Sequence, residues 1–321
     1  MDKKIEFITY GDIEPTKIEW LYYPYIAKGK VTLLCGDPGI GKTTFILSLI
    51  AKLTTEDCMP FSNQKNESMN IMFQSAEDGA ADTIIPRLMA MNADCKKVIA
   101  VKGKIDFIQM CDNLQNDIID KNVKLIVFDP IQAFIGGVNI SAANEVRSVM
   151  ERLTDFAEET NCAILLIGHL NKNTNGINAL YRSLGSIDIV ANARSVLMVA
   201  VNPNNPDNKI MIQLKNNLAK CGKSIVFDLE NGAVKWIGLS DVKATDLSSG
   251  DNVNAFKNAC DLLTEYLQKE DTESREIMDM AAQLGIGITT LKKAKSYLGI
   301  KSIKKGKVWY YKKIEISESD I

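Results

Sequence analysis

VTLLCGDPGIGKTTFILSLIAKL, from Val31 to Leu53, sets the architecture of this 321-residue chain. An apolar run, a glycine-rich turn and apolar residues at three- and four-residue spacing predict a strand, a loop and a helix in that order. Gly36-Asp37-Pro38-Gly39-Ile40-Gly41-Lys42-Thr43 fits G-x-x-x-x-G-K-[ST] without a gap. Such glycines let successive backbone N–H groups turn inward around phosphate, and the following helix aims its positive end at the same charge. Lys42 is placed to reach the β- and γ-phosphates and Thr43 to ligate Mg²⁺. With Thr44, these residues form the candidate phosphate site. Four constrained positions match by accident in roughly one per cent of chains this long, and the flanking strand and helix lower that chance further. The expected ligands are ATP and Mg²⁺.

Outward from the loop, apolar strands end in polar tips. Asn70–Ser75 reads as a buried strand that runs into Ala76-Glu77-Asp78-Gly79, with a helix over Ala80–Met91. A carboxylate at a strand's C-terminal end stands where an α/β sheet presents its chemistry, so Glu77 is the candidate general base. Its alternative is helix capping, a role better suited to Asp78. Val98–Val101 is a third strand, with a helix from Ile105 to Lys121. Val123–Asp129 is an apolar strand ending in one acid, the expected second holder of Mg²⁺. Residues 131–141 form a glycine-containing loop, and a helix spans Ala143–Thr160. Cys162–Gly168 is another strand, and it leads to His169, the one histidine of the chain. Beside Asn171 and Lys172 that histidine reads as a sensor of γ-phosphate or nucleic acid rather than a metal ligand.

Farther on, Arg182 and Arg194 stand among small polar residues. Each can serve a subunit boundary, where a cation neutralises transition-state charge, or an ordinary ion pair. Strands over 209–215, 224–229 and 234–237 predict an antiparallel edge on a mostly parallel sheet. Leu239–Asn252 is polar and reads as a linker. Helices over 255–267, 274–284 and 289–298, then strands over 300–303 and 308–312 around Lys304-Lys305-Gly306, outline a winged helix-turn-helix. From Gly287 to Lys313 there are lysines at 292, 293, 295, 301, 304, 305, 307, 312 and 313 and no acid. Lys292, Lys293, Lys295, Lys304, Lys305 and Lys307 lie on the third helix and the wing, the elements that meet DNA in such folds. The alternative is a solvated face.

Composition bounds the rest. Apolar residues make up 46%, ordinary for a globular chain, and a net charge of −2 excludes a uniformly basic nucleic-acid coat. No stretch reaches 18 uncharged apolar residues, and MDKKIEFITY lacks a signal-like apolar core. A cytoplasmic chain with no membrane partner is expected. Seven scattered cysteines suit reduced thiols better than a disulfide framework. Trp20–Tyr25 is an aromatic cluster expected to pack on the sheet edge or a neighbouring subunit.

The series resembles the RecA-like ATPases of the RepA type, the plasmid- and phage-encoded hexameric helicases, in a form with a C-terminal winged helix. The likeness rests on WLYYPYIAKGKVTLLCGDPGIGKTT, SAED at 75–78, LIVFDP at 125–130, LLIGHLNK at 165–172 and LKNNLAKCGKSIVFDL, with GITTLKKAKSYLGIKSIKKGKVWYY near the end. It implies a RecA-like domain over 1–240, a linker at 241–252 and a winged helix over 253–315. It further implies Glu77 activating water, Asp129 holding Mg²⁺, and His169 relaying phosphate state to a DNA-facing loop. Arg182 or Arg194 would act at the boundary of a homohexamer. Where such helicases often carry a Lys-x-Arg pair, this chain has Lys215-Asn216-Asn217, so Lys215 is a further candidate. The implied partner is DNA, single-stranded in a central channel lined by the loops at 131–141 and 170–180, with Lys172 in the second, and duplex at the winged helix. The other reading is a nucleotide-switched loader that moves no strand.

Overall fold

In a computed structural model the described residues are 7–63, 65–103, 105–136, 143–169, 187–247, 251–267 and 270–312. Val31–Gly36 (β3, after the short strands β1, Trp20–Tyr22, and β2, Ile26–Ala27) is buried along its whole length, because helices cover both faces of the sheet it enters. Next come α1 (Lys42–Thr54), β4 (Asn70–Ser75), α2 (Ile85–Ala90), β5 (Val98–Ile99), α3 (Phe107–Asn113), α4 (Gln115–Asp120), β6 (Val123–Asp129), α5 (Ala143–Thr160), β7 (Ala163–His169) and α6 (Ile187–Asn192). After them come β8 (Ser195–Val201), β9 (Lys209–Asn216), β10 (Ser224–Glu230) and β11 (Ala233–Ser240). The nine-stranded sheet has the order β11-β10-β9-β8-β3-β7-β6-β4-β5. From β8 to β5 all pairs are parallel, and from β8 to β11 all are antiparallel.

Two apolar layers sandwich this sheet. On α5, Val146, Val149, Met150, Leu153, Phe156 and Ala157 recur at helical spacing and meet Phe107, Phe128 and Ile189 on one face. On the other face Phe45, Ile46, Leu49 and Ile50 of α1 pack with Leu34, Phe227 and the β1–β2 hairpin. The aromatic cluster is part of that second layer. The buried Tyr22 hydroxyl donates to the Pro60 carbonyl at 2.8 Å, and Tyr25 donates to the Lys223 carbonyl at 2.6 Å. All seven cysteines are free thiols.

Three local expectations need correction. The helix expected over 105–121 is two helices. Asp106 caps the first in a box with Gln109, so residue 105 stays outside, and Leu114 leaves helical geometry between them. The helix expected from Ala80 opens with a wide turn in which the Ile84 N–H reaches the Gly79 carbonyl. Gly79 caps it, whereas Asp78 pairs with Arg87 at 3.1 Å. The polar stretch from Leu239 is partly ordered, because β11 runs to Ser240 and Val242 is buried against Ile210, Ile212 and Val226.

Beyond it, α7 (Asp251–Leu267), β12 (Thr272–Glu273), α8 (Ser274–Gln283), α9 (Ile288–Tyr297), β13 (Ser302–Lys305) and β14 (Val308–Tyr311) enclose a separate core. Phe256, Leu263, Ile277, Leu291 and Tyr311 fill it. The three strands pair antiparallel in the order β12-β14-β13. The Tyr297 hydroxyl on α9 donates to Asp207, in the loop before β9, at 2.8 Å. Among the described residues no helix is long and apolar enough to cross a membrane.

Candidate active site

Parallel register brings the polar strand tips together. Gly36 lies opposite His169, and Ser75 lies opposite Asp129. Residues predicted from separate stretches of sequence therefore share one edge of the sheet. Gly36 is obligatory there, since a Cβ would stand 2.5 Å from the Val199 carbonyl oxygen on the adjacent strand. Gly41 has φ +100°, a left-handed conformation that admits glycine readily. It caps α1 with no side-chain hydrogen bond, which leaves the first N–H groups of that helix without side-chain acceptors. Those donors and the helix dipole favour an anion.

Lys42 opens α1 and is 5% exposed. Its Nζ donates to the Gly36 and Asp37 carbonyls, each at 2.9 Å, and lies 3.2 Å from His169 Nδ1. Burial pushes this ammonium below the ordinary lysine value, and the nearby Asp129 opposes the shift. A lysine ammonium only donates, so Nδ1 of His169 accepts and the ring proton is assigned to Nε2. That Nε2 faces Glu77 Oε1 at 3.7 Å, longer than a hydrogen bond. Glu77 is held in place from behind. Ser75 Oγ accepts the N–H groups of Glu77 and Asp78 at 3.3 and 3.0 Å, and the Ala76 N–H donates to the Asp129 carbonyl at 2.9 Å.

Thr43 Oγ1 donates to Asp129 Oδ2 at 2.5 Å. Burial raises the Asp129 carboxyl above the usual range, and the Thr43 hydrogen bond works against that rise. A hydroxyl and a carboxylate side by side under a phosphate loop suit Mg²⁺, which takes one or two protein oxygens and completes its shell with water and phosphate. The donor set fits that ion.

Among the described residues, Arg194 and Lys215 do not reach this edge. The Arg194 N–H bonds the carbonyl of Val31, and Lys215 stands opposite Val196, at the start of β8. Both belong to the other end of the sheet, about 17 Å away at ~3.3 Å per strand residue. Lys215 Nζ donates to the carbonyls of Val190, Ala191 and Ala193 at 3.0, 2.8 and 2.9 Å, closing the C-terminal end of α6. Burial, followed by the neighbouring Arg194, lowers its pKa. Arg182, Lys172 and most of the expected channel loops lie outside the described residues. In the C-terminal core Lys292, Lys293, Lys304, Lys305 and Lys307 are exposed, whereas Lys295 is half-buried and donates to Ser302 Oγ at 2.6 Å.

Sequence reading missed Ser75, although a serine two residues ahead of an acid at a strand tip is a turn signal. It also missed Gln132, just past Asp129, whose Oε1 is buried with no hydrogen-bond partner among the described residues.

A family model described as an AAA domain matches residues 4–175, more than half of the chain. The chain belongs to the AAA domain family. Curated relatives include the "DNA repair protein RadA" of Rickettsia prowazekii (strain Madrid E), 24% identical over 64% of this chain and 42% of that protein. The protein of the same name from Brucella abortus (strain 2308) is 25% identical over 46% of this chain and 29% of its own. The chain thus spans less than half of these relatives' length. Among solved structures, a KaiC-like protein of Pyrococcus horikoshii OT3 superposes with a TM-score of 0.50 at 18% identity, over 66% of this chain and 91% of the other. The α/β core with its large, mostly parallel sheet is therefore a RecA- and KaiC-like P-loop fold, and the family implies nucleotide use.

Proposed function

We propose that this chain hydrolyses ATP and couples turnover to single-stranded DNA, as a helicase or translocase of the RepA type in phage or plasmid replication. The observation that carries the reading is the run of neighbouring side chains Lys42, His169 and Glu77 beside the Thr43–Asp129 pair. Lys42 and the α1 N–H groups bind and orient the triphosphate. Thr43 and Asp129 hold Mg²⁺, which would supply charge neutralisation at the phosphates. Glu77, at 61% side-chain exposure, accepts a proton from the attacking water. His169 touches both Lys42 and the base, so phosphate occupancy at Lys42 and the position of Glu77 are linked through one ring.

DNA engagement is supported by the basic α9 and the β13–β14 hairpin, read as a winged helix over 253–315 beyond a linker at 241–252 and an ATPase domain over 1–240. The names of the RadA relatives agree with work on DNA. Arg194 at the far edge of the sheet suits a contact with the next subunit of a homohexamer, since it lies too far to reach its own loop. One contact favours the loader as a second reading: the Tyr297–Asp207 bond ties α9 directly to the ATPase core, as a nucleotide-driven switch requires.

The test is ATP hydrolysis with and without single-stranded DNA at fixed low salt, on protein sized by light scattering. Strong stimulation on a hexamer-sized particle supports the motor. A flat rate on a monomer or dimer overturns it in favour of the loader.

A further inference from the structure

The β13–β14 hairpin has two chemically different faces. Trp309 and Tyr311 alternate onto one face, where their cross-strand partners are Lys304 and Ser302. Tyr310 lies on the opposite face, and there Lys305 is neutralised by Asp271 at 2.9 Å. The first face looks across a cleft of about 490 Å³ towards α9, within the range of small-ligand pockets. From α9 come Lys292, Lys295 and Ser296, three and four residues apart and so on one side of the helix. The floor is apolar, made by Met278, Ile300 and Tyr311, and no acidic side chain lines the cleft.

The aromatic rings already attract cations. Lys295 Nζ lies 4.8 Å from the Tyr311 ring centroid, and Lys304 Nζ lies 5.8 Å from that of Trp309. Trp309 is nevertheless 52% exposed, although its indole is large and costly to leave in water. A stacking surface, two ammonium groups and serine hydroxyls over an apolar floor match one planar base with its phosphate. The cleft is too small for a duplex and wide enough for a single nucleotide.

We propose that this cleft takes one unpaired nucleotide, its base stacked on Trp309 and its phosphate held by Lys292 and Lys295. Taking that nucleotide from a DNA strand rests on the function proposed above; a free mononucleotide would share the chemistry.

The experiment uses the full-length chain at fixed salt, with a labelled oligothymidylate, a duplex of equal length and dTMP as probes. Tryptophan emission and affinity are read for wild type, Trp309→Ala and Trp309→Phe. Expected are quenching by the oligothymidylate and an affinity loss of about ten-fold in Trp309→Ala. Trp309→Phe should recover most of that affinity, and duplex binding should barely change. Unchanged oligothymidylate affinity in Trp309→Ala, or an equal loss for duplex, overturns the pocket. If wild type binds neither form of DNA, the DNA function falls by itself. Quenching by dTMP that is missing in Trp309→Phe would then support a free nucleotide at this cleft, and its absence would overturn the proposal.

Discussion

Replacing Asp129 with asparagine should stabilise the ligand-free protein while abolishing Mg²⁺-dependent turnover. The carboxylate is 5% exposed, and its pKa is raised chiefly by burial. A carboxyl with a raised folded pKa is harder to ionise in the fold than in the unfolded chain. At neutral pH its charge therefore subtracts from stability. A buried charged group that has lost its water costs on the order of 1–3 kcal/mol, so relief of about 1 kcal/mol is the expected order. Asparagine keeps the shape and can still accept from the Thr43 hydroxyl. The sign in pH follows. The penalty is fully present above the folded pKa, shrinks as pH falls through it, and is gone below the unfolded value of about 3.9. Thermal unfolding in EDTA should place Asp129→Asn above wild type at pH 7 by a few degrees, converging near pH 4. With Mg²⁺ and ATP the order should reverse, because binding then stabilises wild type alone. A variant less stable than wild type at pH 7 in EDTA would refute this reasoning, since the carboxylate would then be holding the fold through Lys42 and Thr43.

Glu77→Gln should lower kcat by about 10²–10⁴-fold with ATP affinity within a few-fold, because Glu77 makes no side-chain hydrogen bond to the loop; turnover near the wild-type rate would remove it as the base. Gly36→Ala should lose nucleotide binding and stability together, as its methyl meets a backbone carbonyl at 2.5 Å that cannot yield. Equilibrium dialysis and urea unfolding check both effects. Lys215→Met should cost about 1–2 kcal/mol in urea unfolding, discounted for partial exposure, by leaving three carbonyls at the end of α6 and just after it without their donor. A change below a few tenths would show that water replaces the lysine. Should Lys215 also complete a neighbour's site, turnover would fall beyond what lost folding explains.

The sheet was legible because β4, β6 and β7 are runs of mostly buried residues that end in polar tips, and those tips border the site. Lys42, Glu77, Asp129 and His169 could be picked out one by one, but their pairing was not written in any local stretch. It follows from the registers Gly36–His169 and Ser75–Asp129, which join residues 133 and 54 positions apart in the chain. The same limit explains Lys215. Its position on a late strand suggested a boundary cation, whereas its present partners are carbonyls of a helix that ends some twenty residues earlier. Asp78 failed as a cap because Arg87, on the helix it precedes, pairs with it. Short-range patterns predict elements, and long-range competition decides what a side chain finally bonds.

That competition also orders the two ends of the sheet. At the phosphate edge, Lys42 is buried with a depressed pKa and Asp129 with a raised one. Each charged form is disfavoured there, and each gains from a ligand of opposite sign: phosphate for the ammonium, Mg²⁺ for the carboxylate. At the far edge, Lys215 is likewise depressed, partly by Arg194 beside it. The phosphate end of the sheet is thus anion-seeking, whereas at the other end Lys215 donates to three carbonyls and Arg194 shares a pocket with Glu151 and Asp155. If that other end serves the neighbour, Arg194→Ala mixed with wild-type subunits should depress turnover more than in proportion to its share. Strictly proportional loss would show that each chain completes its site alone.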